Sequence, residues 1–241
     1  MAKKRLDVLL VEKGLLESRN IAQRLIMAGK VEVEGVRRDK PGWQVEEDAD
    51  ITVKSGPQFV SRAGMKLASV AEKFNLDFKD KKVLDVGSST GGFSDFALQQ
   101  GAERVYAVDV GTHQLHERIR GNPRVVVMER TDIRDANLPE AVDIVLIDVS
   151  FISLREVLPH VKQFLHQESL AVAMCKPQFE AGVKDASKHK GVIKNDTLRR
   201  RILKSFEQWL IGNSYAVIDK ADSKLSGAKG NIERFYLLKS Q

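Results

Sequence analysis

The stretch from Lys82 to Phe93 constrains this chain most, because an apolar strand runs into a glycine-rich turn that opens a helix. The turn contains Gly87, Gly91 and Gly92. Their spacing leaves a broader turn than the G-x-G-x-x-G pattern that packs backbone against a dinucleotide pyrophosphate, and no P-loop lysine follows. The stretch therefore predicts a nucleotide-cofactor site.

A cofactor with an adenosine, a charged amino-acid tail and no phosphate suits this turn. Its glycines let the cofactor approach the backbone closely, and Asp85 can meet an ammonium group. The next strand ends in Asp109, roughly 20 residues on, where an acid can accept both ribose hydroxyls. We therefore predict S-adenosylmethionine; the alternative is a tight strand-to-helix turn plus an acid that caps the next helix. The other turn residues assigned to the cofactor are Ser88, Ser89 and Phe93.

The composition is that of a soluble globular protein with a basic surplus. The 241 residues carry a formal net charge of +6, which favours a polyanionic partner, nucleic acid first, if the cations share one face. A single cysteine, Cys175, excludes an internal disulfide, and the scattered histidines give no metal spacing. The charged N-terminus lacks a signal-type apolar core, and no apolar run approaches the ~20 residues of a membrane span. We expect a cytoplasmic protein without membrane insertion; its oligomeric state is not specified.

Residues 1–53 predict a small α+β unit. Apolar spacing marks a helix from Leu6, while Ser18 caps a second helix that Gly29 ends. Short strands are predicted at 31–33, around Val45 and at 51–53. Several cations lie on the capped helix or the hairpin beside it: Arg5, Arg19, Arg24, Lys30, Arg37 and Arg38. From charge alone, RNA binding and a solvated basic face are equal alternatives.

The order of residues in this unit resembles the S4 domain, a small RNA-binding module. The matching residues are Arg5-Leu6-Asp7, Gly14-Leu15, Ser18-Arg19, Ala22, Leu25-Ile26 and Gly29-Lys30-Val31. The resemblance implies that the cations of residues 1–53 bind RNA.

A linker is predicted at residues 54–60, because Ser55-Gly56-Pro57 should interrupt regular structure. Beyond it, residues 61–241 alternate apolar runs with helical patterns, including helices over 154–165 and 196–210. Strands are predicted at 83–86, 105–108, 125–128, 144–147, 170–175, 216–218 and 235–238. The alternation predicts an α/β fold with a doubly wound, Rossmann-like sheet.

In such a sheet the site lies beyond the carboxyl ends of the strands. Asp148 and Lys176 each end a buried run at that edge, where a carboxylate can position a lysine that acts as a base. A structural ion pair is the equal alternative. Asp132, after the third strand, can face adenine or cap a helix. Cys175 is expected to be a buried core residue without a chemical role.

The wider pattern resembles the TlyA-type ribosomal RNA methyltransferases, over nearly the whole chain. It rests on the motifs SRAGMKL at 61–67, the turn from Asp85 to Phe93, DVSFIS at 148–153 and CKPQFE at 175–180. That family joins an S4 domain to an FtsJ-like methyltransferase domain and methylates ribose 2'-hydroxyls from S-adenosylmethionine. The resemblance implies ribosomal RNA or ribosomal subunits as partners. Its Lys-Asp-Lys-Glu tetrad maps to Lys66, Asp148, Lys176 and Glu233.

The implied chemistry is in-line displacement at a sulfonium methyl group, in which a ribose oxygen loses its proton as it attacks. Lys176 is then the base or oxyanion stabiliser, Asp148 orients it beside the cofactor, and Lys66 and Glu233 hold the ribose. Glu233 lies just before the last strand, and Asp222 is too distant along the chain to replace it.

Four further residues are candidates for RNA contact. Phe151 could stack on a base, with a core position as the alternative. Arg62, Lys188 and Lys190 could contact RNA, with a solvated surface as the alternative for the loop lysines. Two other function classes remain open: a membrane-lytic haemolysin, a label that the family also carries, and an RNA-binding protein with a non-catalytic methyltransferase fold.

Overall fold

The computed structural model describes residues 3–54, 58–181, 192–227 and 229–241. The chain divides into two compact units, Met1–Gln58 and Phe59–Gln241. Phe59 and Val60, assigned above to the linker, belong to the larger unit because they pack within it. The Phe59 ring is buried 5.5 Å from the ring of Phe96, and the Val60 amide donates to the carboxylate of Asp95 at 2.7 Å.

The smaller unit packs two helices and short strands around an apolar core. Its elements are β1 Lys3–Arg5, α1 Leu6–Glu12, α2 Arg19–Met27, β2 Val31–Val33, β3 Val36–Arg38, β4 Gln44–Glu46 and β5 Ile51–Val53. The strands form an antiparallel sheet in the order β3-β2-β5, and β1 pairs with β4. Ser18 caps α2 as predicted, since its Oγ accepts from the Ile21 amide. Leu6, Leu10 and Ile26 are fully buried, so apolar spacing identified the core.

The larger unit alternates strands and helices along a seven-stranded sheet. Its first elements are α3 Arg62–Ala71, β6 Lys82–Val86, α4 Gly92–Gln99, β7 Arg104–Asp109, α5 Glu117–Arg120 and β8 Val125–Glu129. The others are β9 Val142–Ile147, α6 Leu154–Val161, β10 Leu165–Cys175, α7 Pro177–Glu180, α8 Asp196–Gly212, β11 Tyr215–Asp222 and β12 Arg234–Ser240.

The strand order is β11-β12-β10-β9-β6-β7-β8, and the five strands from β10 to β8 are parallel. The chain moves outward from β6 through β7 to β8 and then returns to β9, on the other side of β6. Such a reversal opens a crevice at the carboxyl ends of the two central strands, where α/β proteins bind ligands. β12 enters the sheet antiparallel to both of its neighbours.

Apolar side chains cover both faces of the sheet, which confirms the doubly wound α/β fold. One cluster packs α6 and α8 against the sheet, through residues such as Leu158 and Phe206. A second cluster packs α3 and α4 on the opposite face, through residues such as Leu67 and Phe96. The two layers of helices explain why the parallel strands are continuous apolar runs rather than alternating ones.

The predicted boundary between the helix over 154–165 and the strand from 170 was wrong. The helix expected over 154–165 ends at Val161, followed by a 3-10 turn at Lys162–Phe164, and β10 begins at Leu165. Residues 166–169 of β10 are polar, and the register with β9 shifts between Leu165 and Leu170. Ser169 stabilises this irregular stretch, since its Oγ donates to the Val142 carbonyl and accepts from the His166 amide. Apolar periodicity cannot reveal a polar, bulged strand.

Candidate active site

The turn between β6 and α4 lies at the crevice and leaves no room for side chains at its glycines. Gly87 has φ +81°, and a Cβ there would lie 2.8 Å from the Asp148 carbonyl oxygen. A Cβ on Gly92 would lie 2.2 Å from the Oγ of Ser61. Non-glycine residues would therefore push apart α3, β6 and β9, the elements that meet at the crevice.

Two adjoining cavities lie beside this turn. The inner cavity, about 400 Å³, is lined by Ser61, Arg62, Ala63, Asp85, Gly87, Ser88, Ser89, Thr90, Phe93, Asp148, Ser150 and Lys176. The outer cavity, also about 400 Å³, shares Gly87, Ser89, Asp148 and Ser150 with the inner one. All the turn residues predicted to bind the cofactor line the inner cavity except Gly91 and Gly92, which shape the turn behind it.

Three polar atoms of the inner cavity are buried without a hydrogen-bond partner among the described residues: Asp85 Oδ1, Ser88 Oγ and Asp148 Oδ1, of which the last is ion-paired with Lys176. The other carboxylate oxygen of Asp85 accepts from the amide and the hydroxyl of Ser94, at 2.9 and 2.6 Å. Burial raises the pKa of Asp85 to about 7. A buried carboxylate oxygen without a hydrogen bond is costly, so this wall of the cavity is suited to a positively charged ligand group.

The outer cavity begins at the end of β7 and combines an acid with apolar walls. Asp109 accepts from the amides of Ser89 and Gly111, at 2.8 and 2.7 Å, one on each oxygen. Each oxygen keeps a lone pair for a further donor. Val110 and Ile133 also line the cavity, and Val110 is 71% exposed. A flat apolar group with hydroxyls at one end fits such a site.

Asp132 lines the outer cavity, but its carboxylate is bound by Arg134 and does not cap a helix. Its carboxylate is held by the amide and guanidinium of Arg134, which lowers the pKa of Asp132 to about 2. The segment forms a turn in place of a capped helix, since the Asp135 amide donates to the Asp132 carbonyl. Any contact with an adenine would have to share a carboxylate already engaged by Arg134.

The four tetrad residues form two lysine–carboxylate pairs whose side chains are between 4% and 17% exposed. Lys176 Nζ lies 2.6 Å from Asp148 Oδ1 and donates to Ser150 Oγ at 2.8 Å. Lys66 Nζ donates to Glu233 Oε2 at 2.5 Å, and those side chains are only 11% and 4% exposed. The sequence-predicted pairing of Asp148 with Lys176 is therefore present.

Strand pairing brings one residue of each pair to the same end of the sheet. Cys175 lies opposite Arg234 in the antiparallel pairing of β10 with β12. Lys176 follows Cys175 and Glu233 precedes Arg234, so both lie just beyond this last matched position. Lys66 and Glu233 are not among the described residues that line either cavity. Asp222 was judged from the sequence to be too distant along the chain to replace Glu233. In the structure Asp222, on β11, lies opposite Arg234 of β12. It is engaged by Arg199 and Arg234, however, while Lys66 binds Glu233.

Phe151 is 92% exposed, so the core alternative was wrong for this residue. It has φ +67°, and its ring lies 5.4 Å from the ring of Phe179. Arg62 lines the inner cavity, and its guanidinium donates to the Ser226 carbonyl at 2.9 Å. Lys188 and Lys190 lie outside the described residues.

The six candidate cations of the smaller unit occupy four local settings. Arg5 and Arg19 both bind the buried carboxylate of Asp7, which Gln23 also contacts. These bonds, led by the one from Arg5, hold the pKa of Asp7 well below its usual range. The other four side chains are at the surface: the Arg37 guanidinium lies over Gly29, the Arg38 guanidinium stacks 4.4 Å from the Trp43 ring, and Arg24 and Lys30 are exposed.

Sequence reasoning missed several residues that shape the site. Ser61 and Ser150 line the inner cavity, although both lie in quoted motifs. Glu129 holds the loop that borders the outer cavity, accepting from the amides of His113, Gln114 and Leu115. The position of Glu129 at the end of β8 was the available signal, since the other strand ends were already considered.

Known families match both units. The FtsJ-like methyltransferase family matches residues 59–240, and the S4 domain matches residues 4–51. The chain belongs to the FtsJ-like methyltransferase family. The S4 match confirms the resemblance drawn for the smaller unit.

Individual relatives agree with this assignment. A Bacillus subtilis protein named as a candidate rRNA methyltransferase, YqxC, is 45% identical over 239 residues, covering 96% of this chain and 84% of that protein. The 16S/23S rRNA (cytidine-2'-O)-methyltransferase TlyA of Mycobacterium tuberculosis is 38% identical, covering 98% and 90%. A solved structure of a candidate hemolysin from Streptococcus thermophilus is 37% identical, with a TM-score of 0.74 and coverage of 100% and 90%.

The hemolysin names among these relatives make membrane insertion a relevant question. Among the helices that the structure describes, none is both long and apolar enough to cross a bilayer.

Proposed function

We propose that this chain transfers a methyl group from S-adenosylmethionine to a ribose 2'-hydroxyl of ribosomal RNA. The observation that carries the proposal is the contact of Lys176 with Asp148 in the wall of the inner cavity. Asp85 Oδ1 in the same wall has no hydrogen-bond partner among the described residues, and Lys66 forms a second pair with Glu233. The names of the relatives support the RNA ribose as acceptor, and the S4 domain supports RNA binding.

The residues of the two cavities fit S-adenosylmethionine. Asp85 Oδ1 and Ser88 Oγ need partners, which the ammonium of the methionine portion would supply. Ser61 and Arg62, at the N-terminus of α3, favour its carboxylate. In the outer cavity Asp109 would accept the ribose hydroxyls, while Val110 and Ile133 would pack against adenine. When bound, the cofactor supplies an electrophilic sulfonium methyl group.

Lys176 would act on the attacking ribose oxygen. Its Nζ contacts Asp148 and Ser150, so these two partners fix one position for the amine beside the inner cavity. There it removes the hydroxyl proton or stabilises the developing negative charge on oxygen. Lys66, held by Glu233, would position the ribose.

RNA would approach this edge with its base against Phe151. An exposed aromatic ring beside a catalytic lysine offers a stacking surface for an unpaired base, and Phe179 supports it from behind. The cations of the smaller unit would contact phosphates elsewhere on the same RNA, which supplies affinity without base recognition.

Cofactor affinity should weaken as the pH falls below about 7, because burial raises the pKa of Asp85 to about 7 and only the carboxylate attracts an ammonium. The affinity should fall by up to about tenfold per pH unit, in proportion to the ionised fraction. Calorimetric titration from pH 8 to pH 5.5 measures this. Asp85→Asn should bind weakly at every pH and lose the dependence, whereas a parental profile that is flat would exclude Asp85 as the ammonium partner.

Replacing Asp109 with alanine should weaken S-adenosylmethionine binding by about 1 to 3 kcal/mol, since the carboxylate no longer accepts hydrogen bonds from the ribose. Asp109→Asn is the matched control for the loop, because an amide oxygen can still accept from the Ser89 or Gly111 amide. Parental affinity in Asp109→Ala would assign the carboxylate a loop-bracing role alone.

The decisive experiment incubates the chain with labelled S-adenosylmethionine and either unmodified ribosomal RNA or intact subunits. Alkali-resistant linkages are then mapped, because a 2'-O-methyl group blocks alkaline cleavage. Labelled, resistant linkages are expected. Cofactor binding without any label in RNA would favour the non-catalytic alternative, and label in bases alone would contradict ribose methylation.

A further inference from the structure

The buried carboxylate of Glu180 joins two loops of the active site. Glu180 lies at the end of α7 and is 9% exposed. Its Oε1 accepts from the Leu154 amide and its Oε2 from the Ser153 hydroxyl, both at 2.7 Å. We call residues 176–180, which comprise Lys176 and α7, the lysine loop, and residues 148–153 the aspartate loop. Glu180 thereby binds the lysine loop to the aspartate loop at the start of α6.

The two loops touch at three successive levels. At one end Lys176 contacts Asp148 and Ser150. In the middle the rings of Phe151 and Phe179 lie 5.4 Å apart. Glu180 closes the other end. Among the described residues of the two loops, the charged groups are Lys176 and Asp148 at one end and Glu180 at the other.

The chemistry of Glu180 suits a role in orienting the aspartate loop better than a role in stabilising the fold. Burial raises the pKa of Glu180, and the nearest cation, Arg155, lies 3.5 Å away through Nε without a hydrogen bond. Buried ions lose hydration, and well-packed apolar residues often stabilise a fold equally well. A carboxylate adds direction, because two acceptor oxygens aim at one N–H and one O–H of the opposite loop.

We propose that Glu180 is a positioning residue for methyl transfer, fixing the aspartate loop against the lysine loop so that Asp148, Lys176 and Phe151 keep one geometry. It acts through these residues and is not among the described residues that line either cavity. The inference rests on the methyl transfer proposed above.

The test is the single-turnover rate of methyl transfer to ribosomal RNA, at saturating cofactor and RNA, for the parent, Glu180→Ala and Glu180→Gln. Glu180→Ala should be slower by roughly 10- to 100-fold, the scale of a small misplacement of reacting groups, with unchanged cofactor affinity. Glu180→Gln should recover much of the rate, because its amide oxygen can still accept the Leu154 N–H. Glu156→Ala removes an exposed carboxylate of α6 and should match the parent.

A purely stabilising Glu180 gives a different pattern. Glu180→Ala would then melt at a lower temperature while its folded fraction turned over at the parental rate, and that result would overturn the proposal.

Hydrogen exchange provides a readout that does not depend on activity. In Glu180→Ala, peptides covering residues 148–153 and 176–180 should exchange faster, while β6 stays protected. If the parent fails to methylate RNA, the proposed function is refuted, and exchange still decides whether Glu180 orders the two loops. Unchanged exchange in both loops contradicts the inference whatever the activity.

Discussion

Replacing Lys176 with methionine should lower the rate of methyl transfer by roughly 100-fold or more, the scale of general acid-base or oxyanion contributions. Methionine keeps an unbranched apolar stem in a site where the lysine side chain is only 10% exposed. The interaction of the amine with the ribose oxygen strengthens mainly in the transition state, so affinities for S-adenosylmethionine and RNA should change little. Single-turnover kinetics, calorimetry and melting temperature together measure this.

The alternative is that Lys176 only pairs with Asp148 to hold the strand ends. Removing one partner of a buried pair leaves an uncompensated charge, so stability should then fall while the folded fraction stays active. Lys79→Ala, which removes an exposed lysine of the same unit, is the control for a general effect of charge. Near-parental turnover in folded Lys176→Met would falsify the catalytic assignment.

Deleting residues 1–53 should reduce RNA affinity strongly and leave cofactor binding nearly intact. The described residues that line one cavity or the other begin at Ser61, so the deletion removes none of them. For each phosphate contact to single-stranded RNA, the affinity falls by about 0.7 log units per log unit of salt. Removing three such contacts therefore weakens binding by roughly 100-fold at about 0.1 M salt relative to about 1 M. Titration of RNA at several salt concentrations measures both the affinity and the slope.

A point variant separates phosphate binding from the folding of the smaller unit. Arg24 and Lys30 are exposed, whereas Arg5 and Arg19 neutralise buried Asp7, and removing either arginine would strain the unit itself. Arg24→Ala with Lys30→Ala should therefore lower the salt slope by about 0.7 for each phosphate that the two side chains bind, without a change in melting temperature. A parental RNA affinity in the deletion variant would exclude the smaller unit as an RNA-binding module of this chain.

Local sequence determined the parts of the site that depend on a short stretch of chain. The β6 turn follows from an apolar run and from glycines whose backbone conformation and packing exclude side chains, and both signals lie within residues 82–93. The strand-end positions of Asp109, Asp148 and Lys176 follow in the same way, because buried parallel strands are recognisable as apolar runs and their carboxyl ends meet at one edge.

Tertiary structure decided how distant segments combine at that edge. The contact of Lys66 with Glu233 joins residues 167 positions apart and requires β12 to run antiparallel beside β10, which no local pattern specifies. The same sheet brings Asp222 next to β12 despite its distance along the chain.

Exposure was likewise a tertiary property. Phe151 looks like a core residue by hydrophobicity, yet the backbone leaves the strand at Asp148 and turns the ring outward against Phe179. Glu180 looks like an ordinary surface acid, yet α6 begins directly against it and supplies two donors. Sequence by itself determined which strand ends and which glycine-rich turn form the crevice, because hydrophobic patterning and glycine geometry act locally. Partners and burial depended on the packing of segments far apart in the chain, which only the folded sheet brings into contact.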